Sequence, residues 1–218
     1  MTDLKSMIRL QTWLSPAFPI GAFSYSSGLE AAIDEGYVSD AESLTTWLTD
    51  ILEDGTVWND AVLLAEAWRC AADKEALDEL VLLAQAMSFS SERQLETMDQ
   101  GSAFLLASKA WHADDLLPAK CPLPIAIGVL AARMNVALED TLAAALHAVL
   151  SNQIQTALRL MKFGQQGGLD VLASLEDRIL HTAQKAANSS LDDFGSCAII
   201  ADIASMKHEI MQSRIFRS

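Results

Sequence analysis

The sequence predicts an all-α protein, a single-domain bundle of about ten helices. Apolar residues recur every three or four positions through most of the chain, which is the spacing of one buried helix face. No run of β-branched residues alternates with polar residues in the way that a half-buried strand requires. Hydrophobic residues make up 51% and charged residues 20% of the 218 positions, a balance that favours a folded chain over a disordered one.

The N-terminal half is predicted to hold a short first helix, a loop and three amphipathic helices. Pro16, Pro19 and Gly21 mark the loop, because proline fixes φ and glycine frees the backbone. Ser39 and Glu42 have the spacing of a capping box, which predicts the start of the next helix. Three sets of residues form the predicted apolar faces: Leu44, Trp47, Leu48, Ile51 and Leu52; Ala61, Leu64, Ala65 and Trp68; and Leu77, Leu80, Val81 and Ala84.

The C-terminal half is predicted to hold longer helices with short breaks between them. Prolines at 118, 122 and 124 indicate a turn beside the apolar run 123–132, and glycines at 164, 167 and 168 separate two long helices. Residues 199–206 form a short late helix. No long linker interrupts the chain, so we expect one helical domain, residues 1–205, and a tail, residues 206–218. The two long helices carry these apolar stripes: Leu142, Ala145, Leu146, Val149, Ile154, Leu158 and Met161; and Leu172, Leu175, Ile179 and Ala183.

Charge and hydropathy exclude two classes of partner. The formal net charge is -14, with 15 basic residues spread thinly among 29 acidic ones, so no basic stripe is available for nucleic acid. The longest apolar run is well short of the roughly 18 residues that a membrane span needs. We therefore expect neither a nucleic-acid partner nor a membrane segment.

The cysteines and the first residues favour a cytoplasmic protein. Cys70, Cys121 and Cys197 are odd in number and far apart, unlike a disulfide framework or a zinc site. We expect them to be reduced, small hydrophobic residues on helix faces. The first fifteen residues lack the apolar core of a signal peptide.

The motifs of common active sites are missing from the sequence. It contains no phosphate-binding GxxxxGK[ST] string, no GxSxG elbow and no HExxH pair. His208 precedes Glu209, but adjacent helical residues point about 100° apart, so a hydrogen-bonding role at a surface or interface is favoured over a metal site. We expect no catalytic residue, no metal and no cofactor, and interpret the chain as a binding protein.

Three segments differ from ordinary amphipathic helices. Residues 14–30 place three aromatic side chains in a loop-to-helix stretch, which suits either a loop held on the core or an interaction surface. Residues 92–104 place Gly101 in a helix, where it permits close packing. The tail 206–218 combines apolar residues with three cations in a strongly acidic chain, which indicates a segment that orders on binding a partner.

These segments resemble the urease accessory F family. Residues 14–30 match the family's opening, L-S-P-x-x-P-I-G-x-F-S-Y-S-x-G-L-E, and Glu92-Arg93 with Gln100-Gly101 resembles its middle motif. Ser151-Asn152, Arg159 and Gly164-Gln165 are similar to a late helix and turn of the family, and the ending resembles its terminal pattern. The sequence departs from the family at Gln212, where an aromatic residue is common, and in 160–163, where a proline is common.

The resemblance implies a helper in delivering nickel to urease. Family members are all-α, dimerise, and bind a D-type or H-type accessory protein and a G-type, nickel-carrying GTPase, in a complex that meets apo-urease. The matching motifs imply partner contacts at thirteen residues: Phe23, Tyr25, Glu30, Arg93, Gln100, Arg159, Gln165, His208, Glu209, Arg214, Phe216, Arg217 and Ser218.

Two alternatives stay open at this point. The chain could be a helical scaffold that does not influence a GTPase, because spacing alone does not reveal the geometry that a trans-acting arginine needs. It could also be a metal-dependent helical enzyme with a site that no known motif identifies.

Overall fold

A computed structural model describes residues 3–112, 117–118 and 120–218 of the chain. These residues form eleven α-helices and three short 3-10 helices, and no strand occurs among them, which confirms the all-α prediction. The α-helices are Leu4–Trp13 (α1), Leu29–Asp34 (α2), Ala41–Asp54 (α3), Thr56–Arg69 (α4), Lys74–Ala86 (α5), Ser91–Ala107 (α6), Leu123–Arg133 (α7), Leu138–Leu160 (α8), Gln165–Ser174 (α9), Glu176–Ala187 (α10) and Ile199–His208 (α11). The 3-10 helices are Ala22–Ser24, Ser108–Ala110 and Leu191–Asp193.

Side-chain caps determine where several helices begin. The side chains of Asp3, Asp73 and Ser90 each accept a backbone N–H at the start of α1, α5 and α6. At α3 the capping box is formed by Asp40 and Ser43, so the predicted box at Ser39 and Glu42 was wrong by one position. The carboxylate of Asp40 accepts the Ser43 N–H at 2.8 Å, and the Ser43 hydroxyl oxygen accepts the Asp40 N–H at 3.0 Å.

The core lies between helices that approach one another closely at glycines. Helices α4 and α7 form the most extensive helix pair. A Cβ at Gly128 of α7 would overlap the Leu64 carbonyl of α4. A Cβ at Gly101 of α6 would likewise overlap the Cys121 carbonyl just before α7, which confirms that Gly101 permits close packing.

The glycine-rich break after α8 differs from the prediction. Gly164 is the N-cap of α9, whereas Gly167 and Gly168 lie inside that helix. The predicted long stripe from Leu172 to Ala183 is also divided, because α9 ends and α10 begins on either side of the fully buried Leu175. Two short helices therefore replace one long helix, and both contribute apolar residues to the same core.

The cysteines do not all occupy helix faces as predicted. Cys121 is buried and burial raises the pKa of its thiol to about 12, but it lies in the segment before α7. Cys70 is half-buried at the C-cap of α4, and Cys197 is exposed in the loop before α11. The described helices include none that is long and apolar enough to cross a membrane.

Candidate partner-binding site

The tail packs against the body of its own chain. Helix α11 extends to His208, past the predicted boundary at residue 205, and packs on α2 and α6. The residues that follow run over α2, α6 and the 3-10 helix Ala22–Ser24. The contacts between these elements form the candidate site.

Glu30 holds the middle of the tail. Its helix, α2, begins after Gly28, which has a φ of 84° and lies so close to α11 that a Cβ would be 2.9 Å from the Ser205 nitrogen. The buried Glu30 carboxylate accepts the backbone N–H groups of Ile215 at 2.7 Å and of Phe216 at 2.9 Å. Burial alone would raise the pKa of Glu30, but these two donors and His208 outweigh it and lower the pKa.

His208 lies between two carboxylates. Its Nε2 is 3.2 Å from Glu30 Oε2 and its Nδ1 is 2.6 Å from Glu92 Oε2. The imidazole is fully buried and makes these hydrogen bonds within the chain, whereas the sequence analysis expected hydrogen bonding at a surface or an interface. Arg214 pairs with the other oxygen of Glu92, which links the tail to the start of α6 a second time.

Glu209 turns away from His208 and caps α6. Its carboxylate accepts the backbone N–H of Ser91 at 2.7 Å, the Ser91 hydroxyl at 2.8 Å and the Glu92 N–H at 3.3 Å. A negative charge is favourable there because the N-terminus of a helix carries a partial positive charge. The Ser91 hydroxyl, together with the backbone N–H groups of Glu92 and Ser91, lowers the pKa of Glu209 and outweighs burial, which raises it.

The end of the tail pairs with the segment before α2. The main-chain oxygen of Ser218 accepts the Ser26 N–H at 2.7 Å, and the Arg217 N–H donates to the Ser24 carbonyl at 2.8 Å. The Ser218 hydroxyl donates to Glu96 at 2.8 Å, in a buried position. The Arg217 guanidinium reaches the hydroxyl of Tyr25 at 3.4 Å.

Phe216 is the apolar anchor of the tail. Its ring is only 2% exposed, and the Arg159 guanidinium lies over it at 4.3 Å from the ring centre. The same guanidinium donates to the carbonyl of Phe23 at 2.8 Å. Arg159 therefore joins α8, the aromatic loop and the tail through one cation–π contact and one hydrogen bond.

Arg93 and Gln100 are linked to the tail through Glu96, a residue that the sequence analysis missed. Arg93 pairs with Asp60 of α4 and lies 3.3 Å from Glu96, and the Gln100 amide donates to Glu96 at 3.3 Å. The Ser27 hydroxyl also donates to Glu96, at 2.8 Å. The signal that could have identified Glu96 is its spacing of three and four residues from Arg93 and Gln100, which places all three on one face of α6.

The structure brings together every predicted site residue except Gln165. Gln165 is exposed at the start of α9 and, within the described part of the chain, shares no side-chain hydrogen bond with the others. Ser26, Ser27, Glu92 and Glu96 belong to the same network but were absent from the prediction.

An exposed apolar stripe lies beside this network, and we call Ile203, Met206, Ile210 and Ile215 the α11 stripe. Their exposed fractions are 42%, 46%, 81% and 67%. Ile203 and Met206 lie three residues apart on α11, and Ile210 and Ile215 follow in the segment after the helix ends at His208. The buried network thus holds a segment whose outer side is apolar and uncovered.

The polar groups of the site hold the tail against the rest of the chain. Its carboxylates accept N–H and O–H groups of the chain itself, and no group of three or more potential metal ligands occurs among residues 3–112, 117–118 and 120–218. The arrangement can orient the tail and the α11 stripe.

Comparisons with known proteins agree with the resemblance of the motifs. A family model described as UreF matches residues 38–176. The urease accessory protein UreF of Mesorhizobium japonicum is 48% identical over 223 residues, which cover 100% of both chains. The protein of the same name from Rhizobium etli is 48% identical over 99% of this chain and 98% of its own, and urease accessory protein UreF 1 of Brucella canis is 48% identical over 98% and 94%.

Proposed function

Because the chain belongs to the UreF family of urease accessory proteins, which are not enzymes, we propose that it is a binding component of the complex that loads nickel into apo-urease. It binds the D-type or H-type accessory protein and the nickel-carrying GTPase, and it acts as a homodimer in the cytoplasm. Membership of an accessory family removes the alternative of a metal-dependent enzyme.

The observation that carries this proposal is the α11 stripe. Four large apolar side chains stay in contact with water on one helix and the segment that follows it. Burying each of them against a partner would contribute roughly 1.5–3 kcal/mol, less the cost of association. The stripe is therefore the surface that we assign to the D-type or H-type partner.

The thirteen predicted residues have two roles in this proposal. Six of them are buried and Arg93 is half-buried, so these seven act on a partner through the tail that they hold in place. The buried six are Tyr25, Glu30, Gln100, His208, Phe216 and Ser218. The exposed members, among them Phe23 at 67% exposure, can contact a partner directly.

The proposal also concerns how the chain would affect GTP turnover by the GTPase. The arginines that the motifs single out are engaged within the chain, since Arg159 stacks on Phe216, Arg93 pairs with Asp60 and Arg214 pairs with Glu92. We therefore infer that any effect on GTP turnover comes from holding the GTPase in position and not from an inserted arginine. A scaffold with no such effect is the second candidate, and GTP turnover with and without this chain separates the two.

The first prediction tests the α11 stripe with two matched double variants. Ile210→Ser with Ile215→Ser removes the most exposed part of the stripe, and Leu169→Ser with Leu180→Ser removes exposed apolar residues of α9 and α10. Because these side chains are largely in water, both variants should melt within a few degrees of the wild type. Capture of the D-type or H-type protein should weaken more than tenfold in the first variant only.

Two results would contradict the proposal. Equal binding by the two variants would show that the stripe is not the docking surface. A strictly monomeric mass by light scattering, both for the isolated chain and for the complex, would refute the homodimer.

A further inference from the structure

A groove separate from the tail network lies between α3 and the first turn of α11. It encloses about 690 Å³ and is lined on one side by Trp47, Asp50 and Asp54 of α3 and on the other by Cys197, Ile199 and Ile200. Ile199 and Ile200 are 67% and 56% exposed. The groove therefore combines an apolar wall with an acidic wall.

Two carboxylates of the acidic wall have no cationic partner in the described part of the chain. Asp50 and Asp54 are exposed, one helical turn apart, and neither forms an ion pair with any of the described residues. Their neighbour Glu53 is paired with Arg178 at 2.6 Å and so does not need a further partner. Partial burial raises the pKa of Asp50, and the charges of Asp54 and Glu53 add to the increase.

The position of these carboxylates is unfavourable for the fold. They lie in the last turns of α3, which contains no basic residue in its last turn, and the C-terminus of a helix carries a partial negative charge. Exposed like charges there repel one another and the helix dipole. The isolated chain thus gains no stability from Asp50 and Asp54, whereas a cation supplied from outside would relieve the repulsion.

We propose that this groove binds a basic amphipathic segment of another protein of the urease maturation complex. Two cations of the segment, one helical turn apart, pair with Asp50 and Asp54, and an apolar side chain between them packs on Ile199 and Ile200. The proposal rests on the function proposed above, because that function supplies the partner. The occupant is inferred to be cationic because neither Asp50 nor Asp54 forms an ion pair with any described residue. Loss of self-association in the variant that replaces both aspartates would instead show that a second copy of this chain occupies the groove.

Charge-neutral variants separate binding from folding. Asp50→Asn with Asp54→Asn should melt at or above the wild-type temperature, because repulsion at the end of α3 is removed. Its affinity for either the D/H-type protein or the GTPase should fall about fivefold to tenfold at low salt, and less at high salt. Glu75→Gln with Glu79→Gln is the matched control, since these exposed residues of α5 have the same i, i+4 spacing.

Cys197 provides an independent readout on the full chain. It is the exposed cysteine of the groove, so a thiol-reactive maleimide should label it in the free chain, as identified by peptide mass spectrometry. In the complex whose affinity depends on the two aspartates, Cys197 should be labelled at least fivefold more slowly. Ile200→Ser, a change at an exposed position, should weaken the same complex.

Each remaining outcome contradicts a defined part of the argument. If both partners bind the Asn variant as tightly as the control, or if Cys197 stays equally reactive in the affected complex, the groove is not the binding site. If neither partner binds the wild-type chain, the proposed function fails and this inference fails with it.

Discussion

Glu30 shows how a single residue connects distant parts of this chain. One carboxylate accepts two backbone N–H groups of the tail and contacts His208, across sequence separations of 185, 186 and 178 residues. The motif of residues 14–30 identified Glu30 as a site residue. Its partners were not predictable, because helical spacing carries no information about which segments meet across the fold.

Changing Glu30 to Gln should weaken the attachment of the tail. The amide offers one oxygen where the carboxylate offers two, so one buried N–H, of Ile215 or of Phe216, loses its acceptor. We expect the free energy of unfolding, measured by urea titration, to fall by about 1–3 kcal/mol. Asp34→Asn, at an exposed position of the same helix, should change it by less than about 0.5 kcal/mol. Equal effects of the two changes would show that Glu30 does not hold the tail.

The sequence motifs contain most residues of the candidate site, but Glu96, at its polar centre, was not singled out from them. Arg93 and Gln100 were predicted from their motif, whereas Glu96, which both contact, was not. A glutamate on a helix usually lies on the solvent face, and only the structure shows that this one is 4% exposed beneath Ser218. The spacing of Glu96 from Arg93 and Gln100 places it on their face of α6, but the spacing does not show that this face is buried beneath the tail.

At the scale of elements, periodicity predicted the helices better than their ends. The predicted apolar face of α3 matches its buried residues one by one, because five large apolar side chains at this spacing can share only one face of a helix. The end signals were weaker: the cap of α3 lies one residue later than expected, and α9 includes two glycines. Glycine is favourable at position 168 because α9 packs closely on α8: a Cβ there would lie 3.1 Å from the side chain of Ile154.

The start of α6 should make the stability of the chain sensitive to acid. The pKa of Glu209 is lowered in the folded chain, so its cap contributes stability above the ordinary value of 4.5 and loses it as the pH falls through the folded-state pKa. The melting temperature of the wild type should exceed that of Glu209→Gln by a constant amount near pH 7. The difference should shrink once the pH falls below about 4.5.

The control for this measurement is Glu79→Gln on α5. Glu79 is exposed and lies away from both helix ends, so its substitution should have little effect on melting at any pH. A difference between wild type and Glu209→Gln that stays constant from pH 7 to pH 3 would contradict the capping role.

At the scale of the whole molecule, several cations are paired within the chain, whereas excess acidic charge and apolar residues lie at the surface. Several cations are used within the chain, where Arg93, Arg178, Lys207 and Arg214 each pair with a carboxylate. Much of the excess acidic charge therefore remains at the surface, next to exposed apolar residues such as those of the α11 stripe. Such a surface suits a chain that works inside an assembly, which composition alone indicated only weakly.

The largest test of this organisation is removal of residues 213–218. The sequence predicted a tail, residues 206–218, that orders on binding a partner, but the contacts of the tail with its own chain lead us to expect that its removal also costs stability. Deletion exposes the pocket of Phe216, leaves Glu30 without two backbone donors and leaves Glu96 without the Ser218 hydroxyl. Burial of Phe216 alone stabilises the chain by roughly 1.5–3 kcal/mol. The truncated chain should keep its helical circular dichroism, melt several degrees earlier and bind the D/H-type partner more weakly.

A second variant separates the two effects of the truncation. Phe216→Ala should reproduce most of the loss in melting temperature, because it empties the pocket but keeps the exposed Ile215. If the tail only orders the α11 stripe, partner binding should fall in proportion to the loss of stability in both variants. If the tail also contacts the partner directly, the truncation should weaken binding more than Phe216→Ala does at equal melting temperature. A truncated chain that melts and binds like the wild type would refute both roles, because the Glu30 and Phe216 contacts would then contribute nothing.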